Sequence, residues 1–294
     1  MNPTRALAKA APGLDPAGAH VLGEGVWGRV FDAGDGTVIK LLRQGGGLGD
    51  ALELWANELG ALRALEHQPL PVGVPRVVDA GKLDEAETGY DAFLRLTRLP
   101  GRALDDDSLP ALAGASGGRF AAQLGEALAA LHGADMAQGF ADNRAEVDLA
   151  ALEEIAPRVA DIAGRHAIAA IAEGLAALDA AATVVNHGDI NSTNLLADDA
   201  GNLTGLIDWA EARRDWREAE FCHLVLLPEA MAPVRAAYEH AAGLRLDDRR
   251  LYLVGLHNAL IGIVICRRIG EHEEAAWNAD QARTLMARLG LPSA

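Results

Sequence analysis

The sequence predicts an α+β fold in two lobes, a small sheet-rich one followed by a larger helical one. Three observations carry this expectation. The first hundred residues hold short apolar runs separated by glycines. After LPGRAL (99–104), alanine- and leucine-rich segments with helical spacing take over. The helical run is then broken only once, by the strand-like island TVVNHGDINSTNLLADDAGNLTGLIDW at 183–209. With the connector near 96–101, the lobes fall at residues 1–97 and 98–294.

In the first lobe, HVLGEG (20–25), WGRVFDAG (27–34) and TVIKLL (37–42) read as strands, with Asp35-Gly36 as a hairpin turn. A helix follows at about 50–67, where Leu52, Trp55, Leu59, Leu62 and Leu65 recur at helical spacing. RVVDAGKL (76–83) and YDAFLRLTR (90–98) read as a further pair of strands. In the second lobe, GRFAAQLGEALAALHG (118–133) and much of 147–182 read as helices, which resume from Arg217 to the end. Inside the island, Asp198 to Asn202 makes a turn between the short strands LLA and LTGLID.

Composition narrows the function. The chain has 294 residues, 50% hydrophobic and 23% charged, which suits a globular protein with an ample core. A formal net charge of −16, with no run of lysines or arginines, argues against nucleic-acid or anionic-membrane partners and favours small cationic ones. Acidity that serves solubility alone is the alternative. Two cysteines, Cys222 and Cys266, in apolar surroundings read as buried free thiols rather than a disulfide or zinc framework. The N-terminal stretch lacks an uninterrupted apolar core, and LYLVGLHNALIGIVIC (251–266) contains His257 and Asn258 and is shorter than a bilayer span. A cytoplasmic protein is the expectation.

Residues 23–30, GEGVWGRV, match G-x-G-x-x-G-x-V through Gly23, Gly25 and Gly28. A dinucleotide-binding fold would open a helix at the last glycine. Here strand, turn and strand follow, the pattern of a hairpin lid whose bare backbone approaches ATP phosphates. A plain hairpin with flexible glycines is the alternative. Lys40 lies mid-strand among Val38, Ile39, Leu41 and Leu42, either on a wet edge or facing a charge. Glu58 lies three residues after Trp55 and four before Leu62, on the apolar stripe of its helix, and is the candidate partner. Glu53 falls on the opposite face and Glu66 at the helix end.

The cluster HGDINSTN (187–194) has three readings: a metal site, a polar turn, or part of a phosphoryl-transfer centre. Asp189 and Asn194 stand five apart, the H-x-D-x-x-x-x-N spacing of a kinase catalytic loop, and Asp208 of LIDW follows fourteen residues later. Phosphoryl transfer needs a carboxylate to orient and deprotonate a hydroxyl, and oxygen ligands for a magnesium ion bridging phosphates. Asp189 suits the first role, Asn194 and Asp208 the second, and His187 braces the loop. A metal-dependent hydrolase using His187, Asp189 and Asp208 leaves the glycine loop, Lys40 and Glu58 unexplained. A nucleotide-binding pseudokinase normally lacks a catalytic residue, and every position here is filled.

Together, HGD-x-x-x-x-N, IDW, GEGVWG and VIK resemble the aminoglycoside phosphotransferase family of small-molecule kinases, from about Val21 to about Leu226. The resemblance implies a bilobal protein-kinase-like fold using ATP and Mg2+. It implies Asp189 as catalytic base, Asn194 and Asp208 as magnesium ligands, and Lys40 with Glu58 on the phosphates. LRLTRLPG (94–101) resembles the family's inter-lobe hinge, so the Thr97 carbonyl and Leu99 amide would bind adenine. HGD in place of HRD, IDW in place of DFG and the absence of APE argue against a protein substrate. RRDWREAEF departs from the commoner GDP-x-x-D pattern, with Asp215 and Glu220 in the structural places of its two aspartates; REAEF also resembles the sister ketosamine kinases. The acceptor expected is a small hydroxylated molecule bearing an amine, such as an aminoglycoside or other amino sugar. Glu153, Glu154, Glu271, Glu273 and Glu274 would attract it, or else form a solvated face. Ketosamines, macrolides, choline and homoserine are the alternatives.

Overall fold

The computed structural model describes residues 3–25, 27–44, 50–114, 119–136, 140–142, 152–177 and 183–292. The expected lid residue Val26 and parts of the expected helical stretch 147–182 lie outside them. The chain forms two compact units: Met1–Ala103 with Met136–Phe140 and Leu195–Ala212, and Leu104–Asp135 with Ala141–Asn194 and Arg213–Ala294.

The first unit is built on an antiparallel five-stranded sheet ordered β1-β2-β3-β5-β4. Its strands are β1 (His20–Gly25), β2 (Gly28–Asp32), β3 (Thr37–Leu42), β4 (Val77–Lys82) and β5 (Ala92–Thr97). The turn between β2 and β3 forms as Asp35-Gly36 requires: Gly36 has φ 83°, and the Asp35 carboxylate accepts the Thr37 N–H at 3.0 Å. Along β3 the side chains alternate. Ile39 and Leu41 are buried in a cluster with Phe31, Tyr90 and Phe93. That cluster is completed by a helix the sequence reading did not anticipate, α1 (Pro3–Ala10), through Ala6, Leu7 and Ala10. Lys40 falls on the other face, the one that meets α2 (Ala51–Leu65). Asp50 caps α2 by accepting the Leu52 N–H at 2.8 Å, and Trp55 fastens it to the sheet by donating to the Phe93 carbonyl at 2.9 Å.

A short helix α3 (Glu85–Thr88) links β4 to β5. A second, three-stranded sheet also belongs to this unit: β6 (Arg102–Ala103) pairs with β9 (Leu195–Ala197), which pairs with β10 (Leu203–Leu206). Asp198 makes the β9–β10 turn as its position predicts, accepting the Ala200 and Asn202 N–H groups at 3.0 and 2.8 Å.

The second unit is mainly helical. Its helices α4 (Ser108–Gly114) and α5 (Arg119–His132) are followed by Arg165–Ala176, Pro228–Ala242, Asp248–Ile269 and His272–Leu289. Gly125 lets α5 lie against Pro228–Ala242, since a Cβ there would come within 2.5 Å of the Tyr238 amide nitrogen. Asp248–Ile269 is 22 residues, longer than its apolar stretch, because Asp247 caps its start and Gly270, at φ 86°, ends it. It is long and apolar enough by composition to cross a membrane, yet half of its most apolar window is buried within the protein. Between the helices lies a small sheet in which β11 (Arg213–Trp216) pairs antiparallel with β8 (Thr183–Asn186) and parallel with β7 (Ala141–Asp142). β11 has no apolar alternation to announce it. It forms because β8 supplies an edge, and Asn186 donates to the Trp216 carbonyl at 2.7 Å.

Candidate active site

In the first unit, Lys40 stands between two carboxylates. Its Nζ lies 2.8 Å from Glu58 Oε2 and 2.6 Å from Asp208 Oδ1. The Glu58 side chain is 1% exposed, Lys40 14% and Asp208 41%, so the cluster has a buried end and an open end. Burial disfavours the ammonium, but Asp208 and Glu58 more than offset it and the Lys40 pKa rises. Glu58 moves up as well: burial comes first, and the Asp208 charge adds to it against the pull of Lys40. The two carboxylates share one cation, and the buried Glu58 is the one pushed up.

Asp208 is held where it is by its surroundings. It has φ 62°, the one positive φ outside glycine among the described residues, a conformation that costs on the order of 1–3 kcal/mol and that aspartate, like asparagine, adopts more readily than most residues. The next residue, Trp209, is fully buried and donates its indole N–H to the Leu206 carbonyl at 3.1 Å. From α2, the Asn57 amide donates to the Ala210 and Ala212 carbonyls at 2.6 and 2.8 Å, and Glu58 accepts the Trp209 backbone N–H. Asn57 was not singled out from the sequence. Its place one residue before a stripe glutamate is the only signal it offered.

The three glycines of the loop differ. A Cβ on Gly28, where φ is 153°, would strike the Leu41 carbonyl oxygen at 1.9 Å, so this glycine is required by packing. A Cβ on Gly23 or Gly25 would meet nothing within 4 Å, and all of β1 is exposed. Thr97 ends β5 and Leu99 follows two residues later; both line a cavity of about 640 Å3 with the end of α2 and the 67–76 segment. Lys40, Glu58 and Asp208 are not among its walls, so it is separate from the ion cluster.

In the second unit the catalytic-loop candidates converge. Asp189 Oδ1 accepts from Asn191 Nδ2 at 2.7 Å and lies 3.1 Å from His223 Nε2, while Oδ2 accepts from Asn194 Nδ2 at 2.8 Å. Asn194 also donates to the Asp189 carbonyl at 3.0 Å. Although burial works in the opposite direction, the donors and the nearby histidines His223 and His187 hold the Asp189 carboxyl down at about 2. His187 is fully buried, and its Nδ1 accepts the Asp189 N–H at 3.3 Å. Glu220 lies beneath the loop: its carboxylate accepts the His187 and Gly188 N–H groups at 2.8 and 3.1 Å and meets His132 Nε2 at 3.3 Å. Asp215 does not touch the loop in this way; Arg213 Nε and the Trp216 N–H donate to it at 2.8 and 2.7 Å. His223 was missed, because a single histidine after REAEF carries no spacing that ties it to residue 189.

The oxygen donors suit magnesium. Among the described residues no three His, Cys, Asp or Glu side chains gather into a metal cage. Asn194 carries an amide oxygen and Asp208 a carboxylate, each of the hard donor type that magnesium takes.

With this geometry in view, the chain can be set beside known proteins. The sequence pattern of the phosphotransferase enzyme family matches residues 23–253. No curated protein sequence matches the chain. Among solved structures, the GDP and kanamycin complex of APH(2")-IIia aligns with a TM-score of 0.74 at 16% identity, covering 97% of this chain and 98% of that one. A thermostable mutant of the aminoglycoside phosphotransferase APH(4)-Ia, in a ternary complex with AMP-PNP and hygromycin B, aligns with a TM-score of 0.70 at 18% identity, covering 97% of each chain. The macrolide 2'-phosphotransferase MphH from Brachybacterium faecium aligns with a TM-score of 0.62 at 20% identity, covering 95% and 97%. The α+β architecture is theirs, and the chain belongs to the phosphotransferase enzyme family. It is an enzyme of the small-molecule kinase class.

Proposed function

We propose that the protein transfers the γ-phosphate of ATP to a hydroxyl of a small molecule, an aminoglycoside or another amino sugar. The observation that carries this reading is Lys40 held at 2.8 Å from Glu58 and 2.6 Å from Asp208, a poised ammonium with a metal-competent carboxylate beside it. Lys40 and the open backbone at Gly23 and Gly25 receive the phosphates, Glu58 keeps Lys40 charged and aimed, and the Thr97 carbonyl with the Leu99 amide receives the adenine. Asn194 and Asp208 hold Mg2+, which when bound supplies charge neutralisation between the phosphates. Asp189 accepts the proton of the attacking hydroxyl: Oδ2 has one donor on it in the free protein and so has room for a second. His187 and Glu220 hold the loop backbone that carries it.

Asp189 is acidic enough to stay ionised at any ordinary pH, which suits an orienting base for a hydroxyl whose proton departs late. GDP in one similar structure and AMP-PNP in another leave the purine to experiment, and the ATP assignment rests on the loop and hinge motifs. The acceptor's amine rests on the net charge of −16 and on Glu153, Glu154, Glu271, Glu273 and Glu274, all exposed. The free thiols Cys222 and Cys266 favour a reducing cytoplasm. The test is a panel of hydroxylated acceptors (kanamycin, hygromycin B, erythromycin, a fructosyl amine, choline and homoserine) incubated with ATP or GTP and Mg2+, with the product read by mass. A gain of one phosphate on an amino sugar is expected. Phosphate appearing on none of the six would overturn the reading.

A further inference from the structure

The second unit contains a small cavity that neither the base Asp189 nor its metal-ligand neighbours account for. It measures about 80 Å3 and is walled by Arg213, Asp215, Cys222, His257 and Asn258 among others. His257 is 7% exposed, and its Nε2 is buried with no hydrogen-bond partner among the described residues. Buried polar nitrogens are nearly always hydrogen-bonded, and this one differs from a packed-in atom in facing a cavity where a partner has room to sit. The other polar groups in the wall are already committed. Asp215 takes Arg213 Nε and the Trp216 N–H, and the Cys222 thiol is pushed up to about 12 by burial and so stays protonated and inert.

The cavity is connected to the chemistry through two short contacts. Asn258 in its wall bonds His223 Nδ1 at 3.3 Å, and His223 Nε2 meets Asp189 Oδ1 at 3.1 Å. A group seated in the cavity is therefore two side chains from the carboxylate that receives the acceptor's proton.

We propose that this cavity is an acceptor subsite that takes a neutral hydroxyl or hydroxymethyl group, with His257 Nε2 as its hydrogen-bond partner. The inference rests on the phosphotransferase reading above and sharpens it. Volume limits the occupant: 80 Å3 holds a group of two or three heavy atoms, given about 30 Å3 for a water in the liquid. Charge limits it further. Burial first, and then the Arg213 cation, hold His257 down at about 4, so it is a neutral imidazole at working pH. Arg213 and Asp215 pair with each other at 2.8 Å, so the wall has no uncompensated charge to hold an ammonium or a carboxylate out of water. A hydroxyl both donates and accepts, so it pairs with the imidazole in either tautomer. The amine of an amino sugar would therefore lie elsewhere, and a hydroxyl on the same ring would occupy this pocket.

The experiment is calorimetric binding of kanamycin, hygromycin B, erythromycin and fructosyl-lysine to the wild-type protein, His257→Leu and His257→Gln, alongside their melting temperatures. In His257→Leu the tightest binder should lose about tenfold in affinity, the equivalent of one hydrogen bond. ATP affinity should not change, and the melting temperature should hold or rise, because the unpaired nitrogen is gone. His257→Gln, which keeps a polar terminus, should recover part of the loss. Unchanged affinity in His257→Leu, as expected if only water fills the cavity, would overturn the subsite, and so would failure of all four compounds to bind the wild type. If affinity falls as expected but the bound compound receives no phosphate from ATP, the subsite stands and the phosphotransfer reading fails.

Discussion

Glu58 and Asp189 are carboxylates with positive or hydrogen-bonding partners in reach, yet their acidities move in opposite directions. Glu58 rises because it is fully enclosed and shares its one cation with Asp208. Asp189, 27% exposed, falls to about 2 because His223 above all, then His187 and the Asn191 donor, outweigh the burial that works against them. Counting partners is therefore not enough; burial pushes both carboxyls up, and the sign depends on whether the surrounding charges and donors outweigh it. The comparison also separates the roles. A buried carboxylate paired to a lysine is suited to aiming it, and one held ionised by its donors is suited to receiving a proton.

The largest effect that would sharpen this contrast is expected at Asp208. Asp208→Ala should lower magnesium-dependent turnover by ~10³-fold or more, because the phosphates lose their metal carboxylate and Lys40 is left to Glu58 alone. An unaltered magnesium titration in that variant would remove Asp208 from the metal site. Asp189→Asn should follow, lowering kcat by ~10²-fold while ATP binding stays close to normal; near-normal turnover would end its assignment as base.

Lys40→Ala should lower kcat/KM for ATP by roughly 50-fold in a protein that still folds. Combined with Glu58→Gln, the loss should be less than the sum, since the glutamate acts through the lysine. Strict additivity in the double-mutant cycle would separate the two residues.

The acid limb tests the other carboxylate by stability. Asp189 titrates lower in the folded protein than in the unfolded chain, so its ionisation stabilises the fold above about pH 4, and that contribution is lost as pH falls towards 2. The stability gap between the wild type and Asp189→Asn should shrink by about 2 kcal/mol across this range, following from the fall of its pKa from 3.8 to about 2. Chemical denaturation at stepped pH would show it, and a gap that widens on acidification would contradict the shift. The smallest effect concerns the exposed glutamates of the last helix. Neutralising Glu271, Glu273 and Glu274 together should raise the KM of an amine-bearing acceptor by about two- to threefold and flatten its salt dependence, with the KM for ATP unchanged. A neutral macrolide outperforming every amino sugar would make those residues a solvated face.

Much of this protein was legible in its sequence. β1 and β3 fall on the runs that predicted them, residues 20–25 and 37–42, and α2 lies within the predicted 50–67. Local pattern suffices there, because alternation along a strand and a helical stripe are properties of a few consecutive residues. The family, the glycine loop and the HGD-x-x-x-x-N spacing were visible for the same reason. What could not be read is where distant segments meet. α1 offers few apolar residues of its own and becomes part of the core only because Phe31, Ile39 and Leu41 present a face to it. Residues 195–212 follow the HGD-x-x-x-x-N segment in sequence but join the first compact unit, where Asn57 and Glu58 anchor the segment after Asp208. That exchange gives Lys40 its second carboxylate. His223 reaches Asp189, and His257 Nε2 is left without a hydrogen-bond partner among the described residues, for reasons no spacing encodes. Sequence by itself determined the family and the spacing of the charged and polar side chains within each segment. Tertiary structure decided which of them share a charge and which polar atom is left waiting, because electrostatic coupling acts over a few ångströms and chain distance does not measure it.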